Sequence, residues 1–122
     1  MTDDFMLKAL NPLTPEWYTP RAEVAQQNPT RFRIKPLSGV EAMDLELFKD
    51  VEGNTRISGR SAKTILRHGL SDWENFGTDT ETIPFKAGNP DENIARLSTD
   101  IADELVAEIF RRTVLQETER KN

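Results

Sequence analysis

Five of the chain's seven prolines, Pro12, Pro15, Pro20, Pro29 and Pro36, fall in its first third. Each removes a backbone donor, fixes its own φ and biases its predecessor toward extended geometry. A long helix is therefore excluded from this region, which is left to strands, arms and turns. Two stretches have strand character: Glu16–Thr19, and Arg31–Lys35 with Phe32 and Ile34 on one face. Gln26-Gln-Asn-Pro29 between them has loop chemistry. The expectation is a β-hairpin or a pair of extended arms, with residues 1–12 at a flexible end.

Beyond Pro36 the pattern changes to helical. Ser38 with Glu41 three residues later matches a capping box. Val40, Met43, Leu47 and Val51 then recur at helical spacing, which predicts a helix over 39–50 stopped by Gly53-Asn54. A second helix is predicted over 58–72, capped by Ser58 or Ser61, with Ile65, Leu66, Leu70 and Trp73 as its stripe. Gly69 reads as a weak point or bend near its end. After a loop over 74–90, the last helix opens at Asp91 and carries Ile94, Leu97, Ile101, Leu105 and Ile109, reaching about Leu115. Its acids sit early and Arg111 and Arg112 late, as the helix dipole favours. The polar end, QETERKN, is expected to fray.

The fold class that follows is α+β, mainly α: an N-terminal extended or β-hairpin region, then about three helices. A chain of 122 residues supports one core. Residues 1–122 are therefore read as a single domain, with 1–12 and 117–122 at its flexible ends.

Composition removes several function classes. Acids outnumber bases 21 to 16, for a net charge of −5, so a phosphate-binding nucleic-acid surface is disfavoured. The absence of cysteine excludes disulfides, thiolate nucleophiles and zinc–sulfur sites. The N-terminal MTDDFMLKALNP has neither a secretory nor a transmembrane pattern, so no membrane association and a cytoplasmic location are expected.

Three motifs invite a chemical reading and fail it. In LSDWENFGTDTETIPF, a calcium loop begun at Asp72 would place Glu74 and Gly77 correctly. Positions five and twelve, however, would be Phe76 and Ile83, which cannot ligate a hard cation. Gly59-Arg-Ser-Ala-Lys63-Thr64 resembles a phosphate loop only without the glycines that pattern needs at 57 and 62. His68 is the only histidine, with no cysteine or Gly-x-Ser-x-Gly elbow to work with. No cofactor, metal or catalytic residue is assigned, and a non-enzymatic protein is expected.

Aromatics on proline-rich arms are frequent anchors between proteins. Trp17 and Tyr18 are therefore the first candidate partner-binding residues. Val106, Phe110 and Val114 join them, because they widen the last helix beyond its main stripe. Trp73, Phe76, Ile83 and Phe85 are assigned to the fold, pinning the acidic loop between two helices.

Residues 31–122 resemble the small tail assembly chaperones of long-tailed bacteriophages. The likeness runs through RFRIKPLSGVEAMDLELF, then ILRHGLSDWENF with its Gly-x-x-x-Trp turn, then TDTETIPFKAG, then NIARLSTDIADELVAEIFRRT and the closing ERKN. The resemblance implies a protein that binds the largely helical tape-measure protein and keeps it soluble. It also implies recruitment of tail-tube subunits in the host cytoplasm and, typically, absence from the finished virion. Self-association into a homo-oligomer is carried as a further candidate. The rival readings are a phage-borne inhibitor or adaptor acting on a host protein, a structural tail or head-completion subunit, and a small hydrolase built on His68.

Overall fold

The computed structural model describes residues 13–121, with side chains through residue 116. The expectations for residues 1–12 and for the side chains of 117–122 lie outside the described residues. The fold is α+β, with 39% helix and 19% strand, antiparallel strands first and a long helix last.

The proline-rich third forms the expected hairpin. Strand β1 (Glu16–Tyr18) pairs antiparallel with β2 (Arg31–Ile34), Tyr18 opposite Phe32, and a single 3-10 turn (Arg21–Glu23) lies in the connection. Strand β2 is the centre of a three-stranded sheet whose far edge is β5 (Leu70–Glu74). Alternation on β2 turns Phe32 and Ile34 inward, both fully buried, while Arg31 and Arg33 take the other face.

The segment after Pro36 departs from expectation. Helix α1 (Gly39–Ala42) has the capping box, Ser38 Oγ accepting from the Glu41 amide and Glu41 returning a bond to the Ser38 amide, but it ends after one turn. Residues expected to continue it instead form β3 (Leu47–Lys49), paired antiparallel with β4 (Thr55–Ile57). The competing interaction is visible at the hairpin's base. The Glu46 amide donates to Ser61 Oγ at 2.6 Å and the Ser58 amide to the Glu46 carbonyl at 3.2 Å, which ties residue 46 to the next helix's first turn. At the hairpin's other end Asp50 accepts from the Glu52 and Asn54 amides, and Gly53 supplies the left-handed turn residue at φ +86°.

Helix α2 (Gly59–Gly69) is capped by Ser58, which accepts from the Ser61 amide. It passes directly into β5, so Trp73 is a strand residue and the predicted helix to residue 72 is three residues too long. Leu70 and Trp73, three apart, are both buried, which a regular strand cannot do. A register shift opposite Arg33–Ile34 accommodates the extra residue and turns both inward. Gly69 is a close-approach position rather than a bend. A Cβ there would lie 2.7 Å from the Ile109 side chain and 3.1 Å from the Lys35 carbonyl.

The single predicted last helix is two. Helix α3 (Pro90–Ile94) stops, and α4 (Thr99–Lys121) restarts after Ser98, whose Oγ accepts from the Ile101 amide at 3.4 Å. The backbone of α4 runs through 121, past the expected end near Leu115. One apolar cluster joins the sheet, α2 and α4: Phe32, Ile34, Leu37, Ile65, Leu66, Leu70, Trp73, Leu105, Val106 and Ile109. Trp73 packs at 4.8 Å from Phe76 and 5.0 Å from Phe85, ring centre to ring centre, and donates its indole N–H to the Ile83 carbonyl at 2.7 Å. Trp73, Phe76, Ile83 and Phe85 are thus all fold residues. Each large side chain buried here stabilises by about 1.5–3 kcal/mol.

Candidate functional site

The acidic loop is a structural turn. The Ile83 amide donates to the Phe76 carbonyl and the Thr78 amide to the Glu81 carbonyl, both at 2.8 Å, which closes residues 76–83 into a small hairpin. Asn75 opens it in the left-handed region at φ 55°, its amide group held by the Asn28 side chain and the Pro29 carbonyl. Glu74 pairs with Arg31, and Asp72 accepts from the amide of Trp73. Among the described residues no three His, Asp or Glu side chains converge as metal ligands.

His68 Nδ1 lies 3.0 Å from the Glu41 carboxylate, a contact that fastens α1 to α2. Burial pushes the Glu41 carboxyl up, but the hydrogen bonds from Ser38 and the charge of His68 outweigh it and leave the group below its ordinary value. Glu41 is already engaged by the capping box, so the pair has a structural occupation.

The five candidate partner-binding residues do not share a surface. Alternation along β1 sends Glu16 and Tyr18 toward α4, where Glu16 meets Arg112 at 3.8 Å, and turns Trp17 to the opposite face. Trp17 is 39% exposed beneath the Arg31 guanidinium, 5.3 Å from its ring centre. Tyr18 is a strut: its hydroxyl donates to Glu104 on α4 at 2.5 Å. Burial, then the adjoining Glu104 carboxylate, pushes this phenol up to about 12. Val106 is only 7% exposed and belongs to the core, and Phe110 is half-buried against it. Val106 is thus a core residue and is unavailable to a partner in this fold. Val114 remains exposed near the far end of α4.

A different segment carries the exposed apolar surface. Val40 and Met43, on and just after α1, are 77% and 80% exposed. Leu47 and Phe48 on β3 are each about half exposed, and Val51 at the hairpin turn is fully exposed. Leu47 stands opposite Ile57, which packs on the core, so Phe48 and its neighbour Arg56 occupy the outward face. Among the described residues β3 and β4 pair only with each other. A two-stranded ribbon is marginal by itself. Here it is held at its base by Ser58 and Ser61 and at its tip by Asp50, whose carboxylate also meets Arg56 at 2.9 Å.

The sequence pattern had placed Val40, Met43, Leu47 and Val51 on the stripe of one helix. The signal for the alternative was present in Asp50-Val-Glu-Gly-Asn54, a turn flanked by LeuPheLys and ThrArgIle. A separate cleft of about 400 Å³ lies between the 81–84 turn and α3, lined in part by Ile83, Pro84, Lys86, Glu92, Asn93 and Arg96. Three of its polar residues engage one another: Lys86 pairs with Glu92 at 2.8 Å, and Asn93 bonds both backbone groups of Lys86 at 2.9 Å. No helix among the described residues is long and apolar enough to cross a membrane. Comparisons with protein-family models, with curated proteins and with solved structures find no match for this chain.

Proposed function

We propose that this chain is a tail assembly chaperone of a long-tailed bacteriophage. In this reading it is a non-enzymatic protein that binds the tape-measure protein in the host cytoplasm and aids recruitment of tail-tube subunits. Two things support the reading. One is the likeness of residues 31–122 to that family. The other, which carries the mechanism, is the exposed apolar arm formed by residues 40–51.

A long helical client exposes apolar stripes before the tube encloses it, and an acidic protein with uncovered apolar side chains can shield them. Val40, Met43, Phe48 and Val51 are more than half exposed on such an arm, while the core is complete without them. Several copies along one client would add avidity without tight individual contacts. Trp17 and Val114 offer secondary contacts elsewhere on the surface. The test is co-expression with the tape-measure protein of the same phage. The client's soluble fraction should rise with this chain present; no rise would count against the chaperone role.

A further inference from the structure

We infer that the arm formed by residues 40–57 takes a cationic amphipathic helix, one that presents an apolar stripe flanked by lysine or arginine. The inference rests on the reading of this arm as the client surface and specifies the chemistry of the segment it accepts. Its basis is the charge around the apolar residues. Between Val40 and Ile57 the chain carries five carboxylates, Glu41, Asp44, Glu46, Asp50 and Glu52, against two cations, Lys49 and Arg56. That surplus is the larger part of the whole chain's net −5.

The structure divides these carboxylates into two groups. Glu41 is engaged by His68 and Asp50 by Arg56. Asp44, Glu46 and Glu52 are exposed and have no cationic partner among the described residues. They stand beside Met43, Leu47 and Val51 in the chain, while Phe48 has Lys49 next to it and Arg56 across the ribbon. Elsewhere, Asp91 pairs with Arg67 and Glu92 with Lys86, whereas Asp79, Glu81, Asp100 and Asp103 are exposed without a cationic partner among the described residues but have no comparable run of exposed apolar side chains around them. Carboxylates set beside exposed apolar groups complement Lys and Arg flanking an apolar helix stripe, and they repel an acidic one.

A strand added to the ribbon is the weaker alternative. Strand β3 spans three residues, so its edge offers a partner strand only one or two backbone groups. Binding must therefore come chiefly from side chains, which a helix face supplies.

The test uses the full chain and two synthetic helical peptides with the same leucine stripe, one flanked by lysine and one by glutamate. Titration by calorimetry, with backbone amide shifts followed by NMR, reports affinity and location. The lysine peptide should bind at least about tenfold more tightly than the glutamate peptide, as three exposed charge contacts imply. The preference should weaken as salt rises, with shifts centred on 40–57. A D44K/E46K/E52K variant, which changes only exposed side chains, should reverse the preference. Equal binding of both peptides, tighter binding of the glutamate peptide, or shifts centred elsewhere would overturn the inference. So would a sedimentation result in which a second copy of the chain occupies the arm. Because no tape-measure protein enters this assay, failure here leaves client solubilisation standing, and failure there leaves peptide selectivity standing.

Discussion

Replacing Gly69 by alanine adds a methyl group at a point of close approach between α2 and α4. That carbon would meet Ile109 Cγ2 at 2.7 Å and Cδ1 at 2.8 Å, and the Lys35 carbonyl at 3.1 Å. Neither neighbour yields readily. Ile109 is fully buried, and Lys35 is anchored through its own amide to the Gly69 carbonyl at 2.9 Å. Overpacking of this kind costs about 1–3 kcal/mol. Removing a helical glycine returns about 0.5–1 kcal/mol, so the net loss should be about 1–2 kcal/mol. For a chain of 122 residues unfolding with about 2.1 cal/mol/K per residue, Tm should fall by about 4–8 °C. Thermal melts by circular dichroism read this directly. The I109V change removes Cδ1, so G69A/I109V should lose less than the two single changes added together, by about 0.5 kcal/mol or more. A G69A protein as stable as the parent would mean that Gly69 is only a weak point in a helix and does not set the α2–α4 separation.

Other consequences can be checked on the isolated protein. Tyr18 is the only tyrosine, so ultraviolet titration reports it alone. Its phenol should ionise near 12 in the folded protein, and Y18F should restore nothing at ordinary pH but cost about 1 kcal/mol in stability. Because the folded value is raised above the unfolded one, this group's contribution is complete below about pH 10 and is lost as pH rises toward 12; an ionisation near 10 would contradict the Glu104 contact. N93A should cost about 2 kcal/mol by orphaning both backbone groups of Lys86, with faster amide exchange at Lys86 as its signature. The Asp50 carboxyl is held low by Arg56 and by the Asn54 amide, so the hairpin tip is stabilised above the ordinary aspartate range and loosens as pH falls through the lowered value. Asn54 and Glu52 amide shifts should move with a midpoint below that ordinary range, and a midpoint at or above it would contradict the tip geometry.

What the sequence conveyed best was local chemistry. The proline density forced strands into the first third, and Phe32 and Ile34 marked the inward face of β2 correctly. Ser38 and Ser58 marked helix starts that the structure retains. The failures share a cause, in that a distant contact outcompeted a local periodicity. Val40, Met43, Leu47 and Val51 fit a helix stripe, but the bonds between residue 46 and Ser58 and Ser61 draw the chain into a ribbon. Leu70 and Trp73 are three apart, as on a helix, yet a register shift in a strand buries both. Gly69 could be weighed only by propensity, because its reason is the Ile109 side chain forty residues on. Val106 looked like surplus helix surface, since a single sequence does not reveal how much of α4 the core takes up.

The candidate surface was legible only in part. Trp17 and Val114 are exposed, but they stand apart, and Tyr18 is committed to Glu104. Val40 lies in a helix as expected, but Leu47 and Val51 fit the spacing of a helix that the structure ends at Ala42, which hid their exposure.

The most direct measurement is the soluble fraction of the tape-measure protein when it is co-expressed with the parent chain and with an M43S/F48S/V51S variant. The three replaced side chains are exposed and lie outside the core, so the variant's Tm should stay within about 2 °C of the parent. The parent should raise the client's soluble fraction, and the variant should return it to the level seen without this chain. An unchanged client in the parent's presence, or a variant that solubilises it equally well, would contradict the arm's assigned role.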